Sequence, residues 1–341
     1  MVTKNKEYIS YERTLGMSVM EGKGFYYPND TAFSKNGKTY VLNRSLEIRA
    51  SGRGMRVNVC DTNDEYYGSF GKFGDEPGQF MWPSAICVDQ EGRVFISDEH
   101  LHKIMIFSED GTFIDEWGKF GHSEGEMDAP SGITINRNNE LLVSDTYNNR
   151  IQVFTLNGTY LRSFGDTGTI EQRLNMPWRL TEAPSGDIYV ADWGNDRVVK
   201  FDSRGQYLQH FGKNGTGEGE FIKPAGVAVD KKGRIYVCDW GNERLQVLDS
   251  DGHFLQLSLG ESGISPWAQN FLNVNVEEGE ARAKSNLEKS DIEYFDASDR
   301  NEISAHIEKY FWSPMSVVVG PDNRVYVTES NRHRIQVFSI N

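Results

Sequence analysis

Pro224-Ala-Gly-Val-Ala-Val-Asp230, a turn at Lys232-Gly233, Arg234-Ile-Tyr-Val-Cys-Asp239, Arg244-Leu-Gln-Val-Leu248 and a last apolar run around Phe254 read as four short strands in succession. A four-stranded sheet of this size cannot hide both apolar faces alone, so copies of it have to stack. Copies are present. Pro28, Pro83, Pro130, Pro177, Pro224 and Pro314 each open the same pattern, and the middle four are 47 residues apart. Fifteen residues after each proline stands a short polar acceptor: Asn43, Asp98, Asp145, Asp192, Asp239 and Glu329. Twelve before it stands glycine, at Gly16, Gly71, Gly118, Gly165 and Gly212, with a displaced Gly260 in the last copy. Five residues before that glycine an aromatic recurs, at Tyr11, Tyr66, Phe113, Tyr160 and Tyr207.

Six copies predict an all-β, six-bladed propeller of four-stranded antiparallel blades, one domain over residues 1–341. The last copy ends after its third strand, at Arg334-Ile-Gln-Val-Phe-Ser-Ile-Asn341. Residues 7–15 carry the missing fourth-strand pattern, so the first strand is expected to complete blade 6 and remove two open sheet edges.

Lines such as Leu142-Val-Ser-Asp-Thr-Tyr-Asn-Asn-Arg-Ile-Gln-Val-Phe154 and Val327-Thr-Glu-Ser-Asn-Arg-His-Arg-Ile-Gln-Val-Phe338 resemble the NHL-repeat family, and the likeness runs along almost the whole chain. It implies the propeller fold and leaves function open, because the family includes protein binders, RNA binders, sensors and a lyase. The chain looks like a stand-alone bacterial-type member. It also resembles, more distantly, the peptidylglycine amidating lyase and gluconolactonase-type propellers. The lyase likeness implies zinc-binding histidines just after the blade-opening prolines; here those positions are Asn29, Ser84, Ser131, Trp178, Ala225 and Met315, which argues against zinc. The gluconolactonase likeness implies a divalent ion held by carboxylate and amide groups, to which Asp30 and Asn43 could contribute. No metal site is assigned, and the cofactor stays unknown.

Composition sets further bounds. The formal charge of −14, from 50 acids against 36 bases, opposes attraction to phosphate backbones, so nucleic acid is not the favoured partner. No run of eighteen apolar residues offers a membrane span, and the first ten residues lack a secretory pattern. Cys60, Cys87 and Cys238 are too few and scattered for a disulfide framework; a reducing cytoplasm is the simplest expectation.

Two insertions break the period. Residues 44–55 lengthen the second-to-third turn of blade 1; residues 261–312 separate blades 5 and 6. In a four-stranded meander, second-to-third turns and fourth-to-first loops leave on the same side, so both insertions share one face and meet at neighbouring blades. Ser265-Pro266 and Asp299 with Glu302 read as helix starts, and Ile303, Ile307 and Tyr310 as an apolar stripe. The expectation is two or three short helices forming a lid over the channel mouth.

Candidate site residues are those where one copy differs from its siblings on that face. The acids repeated in every blade, with Lys103, Arg150, Arg197 and Arg244 five residues on, suit structure better than catalysis, which requires asymmetry. Asp30 and Arg179 stand where small residues are expected, in opposite blades, and could orient a polar or anionic ligand at the channel mouth. Asn43, Arg44 and Glu99 lie at the ends of second strands. Trp82, Trp178, Trp193, Trp240 and Trp312 gather on the same side and suit a pocket for an aromatic group or a peptide. Three functional readings are open at this stage: a module binding a peptide, a protein or a small aromatic or anionic ligand; a lyase or hydrolase with Asp30 as acid or base and Arg179 as anion clamp; and RNA binding through Arg44, Arg49, Arg53, Arg56 and Arg332.

Overall fold

The computed structural model describes residues 6–45, 54–261, 263–285 and 299–341. Blade 1 is β2 (Pro28–Phe33), β3 (Lys38–Asn43), β4 (Arg56–Asp61) and β5 (Tyr66–Phe70); blade 2 is β6 (Pro83–Val88), β7 (Val94–Asp98), β8 (Lys103–Phe107) and β9 (Phe113–Trp117). Blade 3 is β10 (Pro130–Ile135), β11 (Glu140–Asp145), β12 (Arg150–Thr155) and β13 (Tyr160–Phe164); blade 4 is β14 (Pro177–Glu182), β15 (Ile188–Asp192), β16 (Arg197–Phe201) and β17 (Tyr207–Phe211). Blade 5 is β18 (Pro224–Val229), β19 (Ile235–Asp239), β20 (Arg244–Leu248) and β21 (Phe254–Ser258). Blade 6 combines β22 (Pro314–Val319), β23 (Arg324–Glu329) and β24 (Arg334–Ile340) with β1 (Ile9–Leu15), in sheet order β1-β24-β23-β22. The ring therefore closes as the sequence implies, with Ile9 opposite Ile340 and Leu15 opposite Ile335.

The repeated residues hold each blade to the loop that enters it. In blade 3 the Asp145 carboxylate accepts the Asp128 amide at 2.6 Å, Arg150 Nε at 2.8 Å and Gln152 Nε2 at 2.9 Å. Arg150 Nη2 then donates to the Ser123 and Glu126 carbonyls of the incoming loop. Blades 4, 5 and 6 repeat the acid–arginine pair at 2.6–2.7 Å, in each case with a fully buried acid. The ion pairs lie within blades; the arginine's outer nitrogen makes the link to the loop.

A second latch joins each of blades 2 to 6 to the next. The left-handed residue closing the second-to-third turn accepts the amide of the residue before the following proline: His102 from Ala129, Asn149 from Met176, Asp196 from Lys223, Glu243 from Ser313 and His333 from Tyr27, at 2.6–3.1 Å. His102 and His333 are thus hydrogen-bond acceptors in the scaffold.

The recurring glycine makes room for a side chain arriving three residues before each proline. A Cβ on Gly71, whose φ is +81°, would lie 2.2 Å from the buried Phe80 ring. At Gly260 a Cβ would instead meet backbone, Lys309 O at 2.6 Å and Phe311 N at 2.7 Å, and the Phe311 amide donates to Leu259 O at 2.7 Å. The 261–312 excursion is therefore pinched shut at its neck by close backbone approach.

Within that excursion, α1 (Pro266–Val274) starts where Ser265 accepts the Ala268 amide, α2 (Val276–Lys284) follows after Asn275, and α3 (Arg300–His306) starts at Asp299, which accepts the Asn301 amide. The apolar stripe expected from Ile303 to Tyr310 outlasts the helix, because α3 ends at His306 and Ile307 is its cap. The helices also occupy different places. Trp267 of α1 is buried on the rim between blades 6 and 1, against Phe25 and Tyr66, with its indole N–H on Asp64 O. α3 sits on the loop-bearing face, against the turn at 240–242. Residues 286–298, and residues 46–53 of the first insertion, lie outside the described residues.

Candidate functional site

The six innermost strands surround a central channel. Arg179 crosses it: Nη2 donates to Asn29 O at 2.5 Å and Ser84 O at 3.0 Å, and Nη1 reaches Ser131 O at 3.5 Å. Asp30 accepts the Ser316 hydroxyl at 2.5 Å and the Ile86 amide at 3.0 Å, and lies 3.8 Å from Arg179 Nε. Both side chains are under 10% exposed. The two residues that violate the small-residue rule thus form a neutral plug tying five blades together across the axis. Small residues are needed around them, since a Cβ on Gly132 would meet Trp178 O at 2.2 Å.

Below the plug the channel widens into a cavity of about 490 Å³, open toward the first-to-second turns and walled by Ala32, Cys87, Thr134, Thr181, Ala228 and Val318. Burial pushes the Cys87 thiol well above its usual range, so it stands there as a neutral group.

Above the plug, on the loop-bearing face, Arg44 of blade 1 pairs with Glu99 of blade 2 at 2.9 Å, and its guanidinium stacks 4.5 Å over the Trp82 ring. Burial raises the Glu99 pKa, with Arg44, Ser84 and Arg179 pulling it back. Burial likewise lowers that of Arg44. Arg44 Nε and Glu99 Oε1 are buried without a hydrogen-bond partner. Leaving such groups unmatched costs about 1–3 kcal/mol each, so a cluster of them points to a missing partner.

An aromatic arc continues over blades 2 to 4. Trp82, Phe120 and Tyr147 are 37%, 59% and 58% exposed. Beyond them Trp178 and Trp193 lie 6.0 Å apart, with Lys223 over the Trp193 ring at 4.7 Å. Phe120 and Tyr147 stand two residues after the recurring Gly118 and Asp145, beyond the positions compared between the copies, and so escaped the sequence reading. Over blades 5 and 6 the face is covered instead. Trp240 lies in the turn beneath α3, and Trp312 packs under Arg332, whose Nη2 caps the α3 carbonyls of Ser304, Ala305 and Ile307. Glu243 reaches from its latch to Asn301 of α3 at 2.8 Å, and burial raises its pKa to about 7.

The remaining candidates are structural. Asn43 takes the place of the repeated acid, accepting the Tyr26 amide and donating to Val41 O, Arg56 O and Asn58 Oδ1. Arg56 points inward at the carbonyls of Val19, Met20, Gly22 and Gly24. Arg44, Arg56 and Arg332 thus make internal contacts, while Arg49 and Arg53 lie outside the described residues; the basic patch for RNA has lost three of its five members. Among the described residues one group could share an ion, Asp249, Asp251 and His253, but it forms the exposed β20–β21 turn. Also among the described residues, no helix is long and apolar enough to cross a membrane.

Comparison with known proteins agrees with this architecture. The NHL-repeat family model matches residues 128–154 and 311–338, and a six-bladed β-propeller family of undefined function matches residues 178–261. Curated relatives match over a single stretch: lin-41 of Caenorhabditis elegans is 44% identical over 48 residues, which is 14% of this chain and 4% of that protein. Brain tumor of Drosophila melanogaster is 38% identical over 48 residues, 14% of this chain and 5% of its own length. Among solved structures, a streptogramin B lyase superposes with a TM-score of 0.56 at 13% identity, covering 98% of both chains. A Bacteroides thetaiotaomicron protein of unknown function gives 0.62 at 14% identity, covering 98% of this chain and 76% of the other. At these identities the structural likeness speaks for the fold alone.

Proposed function

The chain is a six-bladed β-propeller built of NHL repeats, and on that premise we propose that its loop-bearing face binds a peptide segment of a partner protein. The observation that carries this reading is the exposed arc of Trp82, Phe120 and Tyr147, continued by Trp178 and Trp193, on the sector that α3 leaves open. Rigid aromatic groups on a closed ring supply apolar contact with little loss of side-chain freedom, and the cationic groups of Arg44 and Lys223 over two of the rings add directional contacts at the edge. An anionic or small aromatic ligand would use the same rings, but an arc spanning three blades suits an extended chain better. The lyase or hydrolase alternative loses support, because Asp30 and Arg179 are engaged with each other and with the backbone of three blades.

The test is selection of peptides from a displayed heptamer library, followed by ¹⁹F NMR on 5-fluorotryptophan-labelled protein. Bound peptides are expected to shift the resonances of Trp82, Trp178 and Trp193 and to leave Trp267, buried on the rim, and Trp117, packed on Phe154, unchanged. Shifts confined to Trp117 or Trp267, or binding that survives W82A with W178A, would refute the assignment.

A further inference from the structure

Within that peptide-binding reading, on which the inference rests, we infer that the Arg44–Glu99 pair reads a primary carboxamide, the side chain of a glutamine or asparagine in the bound segment. The pair uses one nitrogen and one oxygen on each other, Arg44 Nη2 to Glu99 Oε2 at 2.9 Å. The next atom of each group, Arg44 Nε and Glu99 Oε1, is buried and has no hydrogen-bond partner. The site therefore offers one unmatched donor and one unmatched acceptor, each a single atom away from the salt bridge.

Charge narrows the ligand. Arg44 is balanced by Glu99, and beneath them Arg179 is balanced by Asp30, so a charged guest would arrive without a counter-charge in a desolvated place. The guest has to be neutral and carry both a donor and an acceptor. A trans peptide unit points its C=O and N–H in opposite directions and cannot serve two neighbouring groups at once. A primary carboxamide can: its oxygen accepts from Arg44 Nε while one N–H donates to Glu99 Oε1. The Ser84 hydroxyl, which faces the same carboxylate, stands beside the pair. A site built this way rejects an isostere lacking the amide, because its own buried groups then stay unpaired.

The experiment uses three synthetic heptapeptide pools, N-acetylated and C-methylamidated so that no terminal amide or charge intrudes, with Gln, Glu or Met at the centre and mixed flanks. Binding is read from the ¹⁹F shifts of Trp82 and Trp178. The Gln pool is expected to bind at least about 10-fold more tightly than either other pool. E99Q, and separately R44K, which keeps the charge but lacks the Nε donor, should cut that preference, read as the ratio of Gln-pool to Met-pool affinity within each variant, below about 3-fold. Equal binding of the three pools overturns the carboxamide and leaves peptide binding standing; a Gln preference untouched by both variants overturns the assignment to this pair. No shift with any pool overturns both readings.

Discussion

His333 offers a test in which one nitrogen's proton decides stability. Its Nδ1 accepts the Tyr27 amide at 2.8 Å, and its ring lies parallel to Tyr26 at 5.2 Å. Protonation would turn the acceptor into a second donor facing an N–H, and burial holds the ring's pKa down to about 4, against 6.5 when free. The folded state thus binds the proton less readily than the unfolded chain. Stability from this group is complete above pH 6.5 and is lost as the pH falls from 6.5 through about 4. At 1.36 kcal/mol per pH unit the full shift is worth about 3 kcal/mol, and partial solvent contact reduces the expectation to about 2 kcal/mol. Blade 3 supplies the control: Asn149 makes the same latch to Met176 at 2.8 Å with a group that does not titrate. H333N should therefore lie within about 1 kcal/mol of the parent at pH 7.5, losing only the stacking on Tyr26, and gain about 2 kcal/mol relative to it by pH 4.5. Urea unfolding of both proteins at half-unit steps of pH measures this difference, in which every other titrating group cancels. Parallel curves across the window would show that the imidazole acceptor has no part in closing the ring.

Glu243 should behave with the opposite sign: its pKa is raised to about 7, so the folded form holds the proton and stability from this group declines as pH rises from 4.5 through 7. E243Q should flatten that slope, seen as a smaller loss of Tm between pH 5 and 8. R179M should cost about 3–5 kcal/mol by leaving Asp30 buried without its counter-charge, and adding D30N should recover part of it; equal stability of single and double variants in urea would contradict the plug. G71A and G37A share a φ near +80°, but only at Gly71 would a Cβ strike a ring, so G71A should lose about 2 kcal/mol more than G37A in the same assay.

The fold was legible because each recurring residue serves a backbone need that every blade shares. Proline opens the inner strand, the acid accepts the amide of the entering loop, and glycine admits Phe80 or its counterpart. Asp30 and Arg179 were legible as exceptions to the small inner ring, but not as partners, since nothing in the chain shows that a guanidinium is long enough to span the axis. The Arg44–Glu99 pair lay hidden for a related reason: its members stand at matching positions of neighbouring blades, 55 residues apart, but only the packed structure shows that the two side chains turn toward each other. Trp267 shows that loop membership does not fix a face: it belongs to a fourth-to-first loop, yet α1 carries it over the rim. Phe120 and Tyr147 follow the landmarks Gly118 and Asp145 by two residues, but a landmark does not tell how exposed its neighbour is, and that comes only from the packed structure.

The pairing of β1 with β24 also sets a schedule for synthesis. Leu15 leaves the ribosome roughly 320 residues before Ile335, its partner, which at ~5–20 residues per second is a wait of roughly 15 to 60 s. Throughout that interval Ile9–Leu15 is a strand with no neighbour, while the growing arc of blades keeps an open side. The charged Glu12 and Arg13 in its middle act as guards against mispairing with other nascent chains. Once the circle shuts, they join Arg324 and Asp64 in surface ion pairs and the danger passes.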